Sequence, residues 1–235
     1  MSFESIQEVQ KVREYVITTD STVDLSKEFL NEKEITVLSL SYILDGVTYK
    51  DMGGLTGKEF FDKLRNGSLP TTSQINPEEA KETFEQIVKE GKDILHIAFS
   101  SGLSGTYNSC RIAAEDLMEE YPESKVIVID SLCASMGEGL LLYKAIELKE
   151  EGKSLEELAD WVEANKLHIC HNVTVDDLFH LHRGGRISKA TAVLGSMVKI
   201  KPIIHMDNEG KLVVIGKERG RKKSITNLVD RMEKQ

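Results

Sequence analysis

The feature that most restricts what this chain can fold into is the spacing of its apolar runs. They are short, and they alternate with stretches of helical pattern. Tyr15-Val16-Ile17-Thr18, Ile94–Phe99 and Lys125–Ile129 read as strands buried on both faces. Phe60–Leu64, Pro77–Lys89, Ser104–Glu120, Ser135–Glu150 and Leu155–Asn165 read as helices. Asn76 and Pro77 suit an N-cap and a first helical position. Ile35–Leu44 alternates and continues past Asp45-Gly46 into Val47-Thr48-Tyr49, the pattern of a hairpin. Strands alternating with helices predict an α/β fold, with a mostly parallel sheet under covering helices.

After Gly152 the rhythm changes. His168–Val175 is strand-like and stops at Asp176-Asp177, and a short helix runs to His182. Ile200–Met206 and Lys211–Ile215 flank Asn208-Glu209-Gly210 as an antiparallel hairpin, and Ser224–Lys234 reads as a last helix. The expected organisation is an N-terminal α/β domain over residues 1–152 and a C-terminal α/β domain with a mixed sheet over 153–235.

A chain of 235 residues with 40% hydrophobic content is long enough to bury a real core in either one or two domains. Its net charge of -9 argues against nucleic acid as a partner. Lys217, Arg219, Arg221, Lys222 and Lys223 form a local basic cluster that fits an acidic partner, a phosphate or a solvated helix start. No stretch reaches the roughly 18 apolar residues of a membrane span, so membrane contact is expected to be peripheral at most. The first 14 residues lack the long apolar run of a signal peptide. Cys110, Cys133 and Cys170 are widely spaced and form no CxxC, which points to reduced thiols and a cytoplasmic location.

Two hydroxyl-rich segments stand at predicted helix starts, where backbone N–H groups are free and the helix dipole favours anions. The first is Thr71-Thr72-Ser73-Gln74, and the second is Ser100-Ser101-Gly102-Leu103-Ser104-Gly105-Thr106. Taken singly, each also reads as a helix cap with surplus hydroxyls. The second lacks the GxGxxG of a dinucleotide site, the Lys of a P-loop and the GxSxG of a hydrolase elbow. Thr19-Asp20-Ser21-Thr22 and Ile129-Asp130-Ser131 end strands in an acid–hydroxyl step that suits capping. Arg183-Gly184-Gly185-Arg186-Ile187-Ser188 is a flexible turn between two fixed charges. It can meet a carboxylate or phosphate, or pair with Asp176 or Asp177. His168 and His171 face opposite ways on a strand, and His180 and His182 diverge on a short helix, so no metal site is expected. His205 ends a strand beside a turn.

In this order and spacing, the chain resembles the DegV family of fatty-acid-binding proteins. The matching pieces are Thr19-Asp20-Ser21-Thr22-Val23-Asp24-Leu25, Thr72-Ser73-Gln74, Ser100 through Tyr107, Asp130-Ser131 with Ser135-Met136-Gly137, Arg183 through Ser188, and Lys201-Pro202-Ile203. The resemblance implies two α/β domains with a long-chain fatty acid between them. It implies carboxylate contacts from Thr72 and from Ser101 or its neighbour Ser100, with Ser73, Arg186 and His205 as accessory residues. It also implies a partner fatty acid kinase that makes the acyl phosphate, a place in phospholipid metabolism, and no cofactor or metal in this chain. The fold is also similar to that of the dihydroxyacetone-binding kinase subunit, whose covalent histidine has no clear equivalent here. Family members usually continue into a Gly- and Thr-rich segment with a further histidine, so the second domain, ending at Gln235, is expected to be shortened.

The residue types suit such a ligand. An acyl tail gains about 0.8 kcal/mol per buried CH2, and hydroxyls satisfy a carboxylate whose burial is otherwise costly. Two other readings remain open. One is a serine-dependent hydrolase using Ser100 or Ser101 with Asp20, Asp130 and His205. The other is a regulator that binds a different small anion.

Overall fold

In this computed structural model, residues 13–191 and 199–234 are described. The N-terminal elements run β1 (Tyr15–Asp20), α1 (Lys27–Glu32), β2 (Thr36–Leu38), β3 (Ser41–Leu44), β4 (Val47–Lys50), α2 (Gly57–Arg65) and β5 (Thr71–Ser73). Next come α3 (Pro77–Lys89), β6 (Asp93–Ala98), α4 (Thr106–Glu120), β7 (Val126–Asp130), α5 (Met136–Glu150) and α6 (Leu155–Asn165). The remainder holds α7 (Phe179–Arg183), β8 (Ile200–Met206), β9 (Leu212–Arg219) and α8 (Arg221–Met232).

The parallel sheet has the order β2-β1-β6-β7. All six residues of its central strand β6 are buried, which requires helices on both faces. The side chains alternate accordingly. Ile17, Leu95, Ile97 and Ile129 face a core made with Leu141, Leu142 and Ala145 of α5 and Leu158 and Val162 of α6. Ile94 and Val126 face the other way, onto Phe84 and Val88 of α3 and Ala113 and Leu117 of α4. Residue 152, the expected domain boundary, lies in the turn between α5 and α6, and α6 packs back into the first of these cores.

The helix starts follow the sequence signals. Asn76 accepts the N–H of Glu79 at 2.9 Å and Glu79 reaches back to Asn76, a capping box with Pro77 behind it. Thr56 and Ser154 build the same box with Glu59 and Glu157.

Three stretches depart from the predicted pattern. The run Ile35–Leu44 is not one strand. Its first part joins the parallel sheet as β2, and its second part starts a separate antiparallel sheet of order β4-β3-β5. The break at Ser39-Leu40 is held by side chains: Ser21 Oγ accepts the Leu40 N–H at 3.1 Å, and Ser39 hydrogen-bonds the Asp51 carbonyl. Thr71–Ser73, read as a loop, is the edge strand β5, with Thr72 opposite Tyr42. His168–Val175, read as a strand, is mostly irregular and pairs only at Val173 with Ile204. There the chain turns His171 inward against α5 instead of alternating along a ladder.

β8 and β9 form the antiparallel hairpin that the sequence predicts, with a register shift at Ile203/Ile204. Leu178, Ile187 and Ile204 form a small third core beneath it.

Candidate functional site

The strand order reverses between β1 and β6, because the chain leaves β1 for β2 on one side while β6 is followed by β7 on the other. A crevice beyond the carboxyl ends of strands opens at such a point. Two aspartates shape the loops there. Asp20 is fully buried, and its Oδ1 accepts the Thr22 N–H at 3.0 Å and the Thr22 hydroxyl at 2.7 Å. Its Oδ2 accepts the Phe99 N–H at 2.8 Å. Asp130 Oδ1 accepts the N–H groups of Ser101 at 3.0 Å and Leu132 at 3.2 Å. Each strand-end carboxylate therefore pins the loop of a neighbouring strand as well as its own.

A third carboxyl, Glu138, projects from the first turn of α5 and is fully buried. Thr22 Oγ1 lies 2.6 Å from Glu138 Oε2 and 2.7 Å from Asp20 Oδ1. One hydroxyl carries one proton and cannot donate to both. Burial, and then the charge of Asp20, push the Glu138 carboxyl well above the usual range. A protonated Glu138 that donates to Thr22, which in turn donates to Asp20, satisfies all three groups.

The two hydroxyl loops meet at this edge. Gln74, which follows β5, lays its amide against Gly105 and donates from Nε2 to Ser109 Oγ at 3.0 Å. Any side chain at residue 105 would fill the space that Gln74 occupies. The Ile75 N–H reaches Thr106 Oγ1 at 3.4 Å. Gly105 stands at the N-cap of α4, whose 15 residues direct a positive dipole end toward the second loop. Thr72, in β5, and Ser101, in the second loop, are both exposed. Ser73 is also exposed, on the opposite face of β5 from Thr72. Ser100 differs: it is fully buried and donates to the Gly210 carbonyl at 2.7 Å.

The C-terminal part of the chain closes on the same place. Arg186 Nε donates to the Leu103 carbonyl at 2.7 Å, so it sits on the second loop rather than on Asp176 or Asp177. Asp176 instead pairs with Arg221 and, at 2.8 Å, with Lys201. His171 is buried against Gly137, and its Nε2 accepts the Ala134 N–H at 3.2 Å while Nδ1 faces the Ile169 carbonyl. Burial holds His171 below the usual imidazole range, which keeps Nε2 free to accept. His205 Nδ1 in turn faces the His171 carbonyl at 3.2 Å. Among the described residues, no group of three His, Cys, Asp or Glu side chains converges as a metal site.

Sequence reasoning passed over Glu138; it named Gln74 within the first hydroxyl segment and weighed His171 only as a metal ligand, without the contacts that they make here. A lone carboxyl in Gly137-Glu138-Gly139-Leu140-Leu141-Leu142 was the one visible signal for Glu138. The roles of the other two were not legible because their partners lie far along the chain.

The DegV family model, described as "Uncharacterised protein, DegV family", matches residues 14–235. The chain belongs to the DegV family. A DegV domain-containing protein of Clostridium perfringens is 45% identical over 225 residues, which cover 95% of this chain and 77% of the relative. The solved structure of a stearic acid-binding protein from Eubacterium ventriosum superposes with a TM-score of 0.87 at 29% identity, over 94% of this chain and 76% of that one. A DegV protein from Thermus thermophilus, solved for its fatty-acid binding, gives 0.83 at 34% identity over 94% and 77%. The mixed α/β architecture is thus that of fatty-acid-binding DegV proteins.

Proposed function

We propose that this chain binds a long-chain fatty acid and holds its carboxylate with the hydroxyls of Thr72 and Ser101. The observation that carries the reading is the meeting of the two hydroxyl-bearing segments, β5 with Gln74 and the loop after β6, tied by Gln74 over Gly105, with Thr72 and Ser101 both exposed. Descriptions of the solved relatives as fatty-acid-binding support it. The α4 N-terminus adds a favourable field for an anion. Arg186 brings a positive charge onto the second loop through the Leu103 carbonyl, while Ser73, on the other face of β5, and His205, held against the His171 carbonyl, are at most accessory to this reading. The head group stays approachable, which suits presentation to a partner fatty acid kinase for acyl phosphate formation. On this reading the chain works in the cytoplasm, within phospholipid metabolism, needs no cofactor or metal, and leaves covalent chemistry to the kinase.

The hydrolase alternative draws little support. Ser100 spends its proton on Gly210, and among the described residues neither Ser100 nor Ser101 bonds a histidine. Extraction of the purified protein and mass spectrometry of the extract test the reading. A long-chain fatty acid at about one per chain is the expected result. An empty extract, together with no uptake of added oleate, overturns it, and stabilisation by sugar phosphates instead would favour the small-anion alternative.

A further inference from the structure

We propose that Ser100 is a positioning residue and not a ligand: it locks the β8–β9 hairpin tip onto the loop that presents Ser101, so that docking of the hairpin sets the Ser101 hydroxyl. The inference rests on the fatty-acid reading of the Thr72–Ser101 site.

Ser100 has one proton, and it goes to the Gly210 carbonyl at 2.7 Å. Its oxygen also accepts the Gly102 N–H at 3.2 Å. A carboxylate accepts hydrogen bonds only, so a hydroxyl whose proton is already committed offers it nothing. The hairpin tip is itself stiff. The Gly210 N–H meets the Asp207 carbonyl at 2.9 Å, and Asp207 Oδ1 takes the N–H groups of Glu209 and Lys211 at 2.9 Å each.

The fit admits no side chain at the tip. Gly210 has φ +69°, a left-handed value, and a Cβ there would fall on Ser100 Oγ. Arg186 supplies a second strut to the same loop through the Leu103 carbonyl. From the other side, Asp130 holds the Ser101 N–H and the Cys133 carbonyl takes the Ser100 N–H at 3.0 Å. Ser101 is therefore gripped through its backbone by β7 and through its neighbour by a hairpin 110 residues further on, while its own side chain stays exposed.

Hydrogen exchange on the lipid-free protein reads this grip directly. In Ser100→Ala, the amides of Ser101 and Lys211 should both exchange about tenfold faster, as for one buried hydrogen bond lost, with the Leu95 amide in β6 unchanged. Unchanged exchange at Ser101 overturns the proposal. Gly210→Ala gives the same comparison without touching the serine, which covers a Ser100 variant that fails to fold.

Oleate affinity then tests the link to binding. Each single variant should bind about tenfold more weakly, and the double variant should be no worse than the poorer single. Losses that add, or a loss in Ser100→Ala alone, would make Ser100 a ligand and overturn the proposal. Failure of the wild-type protein to bind oleate sinks the fatty-acid reading, while exchange at Ser101 still decides whether the hairpin sets that loop.

Discussion

At the scale of single residues, Glu138 is the most consequential group that the sequence leaves unmarked. Its carboxyl is fully buried and pushed well above the ordinary range, by burial first and by Asp20 second. A group whose proton is held more tightly in the folded state gives its full stability below the unfolded pKa. That stability is lost as pH climbs from the ordinary glutamate range toward the folded pKa, because only the unfolded chain sheds the proton there. Glu138→Gln keeps the shape, stays neutral and can still bond Thr22. Its stability relative to wild type should therefore rise with pH above the ordinary glutamate range, toward the folded pKa, by at most about 1.4 kcal/mol per unit. Urea denaturation across that range checks this, and a difference independent of pH would contradict a protonated Glu138. Thr72 and Ser101 are candidates on sequence alone because their segments lead into helix starts, although Thr72 itself stands in β5. The commitment of Ser100 to Gly210 was not, because the acceptor is a backbone carbonyl that no side-chain pattern announces.

At the scale of elements, legibility followed how local the cause was. Asn76-Pro77 with Glu79 is a complete local instruction, and α3 starts where it says. Replacing Asn76 by Ala removes one satisfied N–H and should cost about 1 kcal/mol, read as a lower urea midpoint with unchanged slope. An unchanged midpoint would mean that packing of Phe84 and Val88 alone fixes the helix start. The β2/β3 break is the opposite case. An alternating pattern runs straight through it, and the bend comes from Ser21, far upstream, which takes the Leu40 N–H. β5 went unread for a similar reason: Thr71–Ser73 has no apolar residue, and its strand character comes from pairing with β3. The irregular path of His168–Val175 is set by the docking of His171 on α5, another distant contact.

At the scale of the whole molecule, the parallel sheet and its two helical layers follow from the alternation of apolar runs, because a strand buried on both faces leaves few other options. What the alternation does not carry is how the C-terminal part returns to the sheet's carboxyl edge. That closure is made by Ser100–Gly210, Arg186–Leu103 and Ala134–His171, each joining residues distant in sequence. It brings the hairpin, the Arg186 turn and the two hydroxyl loops to one place, and the binding proposal depends on that convergence. Titration of oleate, and of the alcohol of equal chain length, into wild type, Thr72→Ala and Ser101→Ala tests it most directly. The expected result is that each variant loses oleate affinity by about 10- to 150-fold, as for one charge-assisted hydrogen bond, while alcohol binding changes little. Wild-type oleate affinity in both variants would contradict a carboxylate held by the two loops.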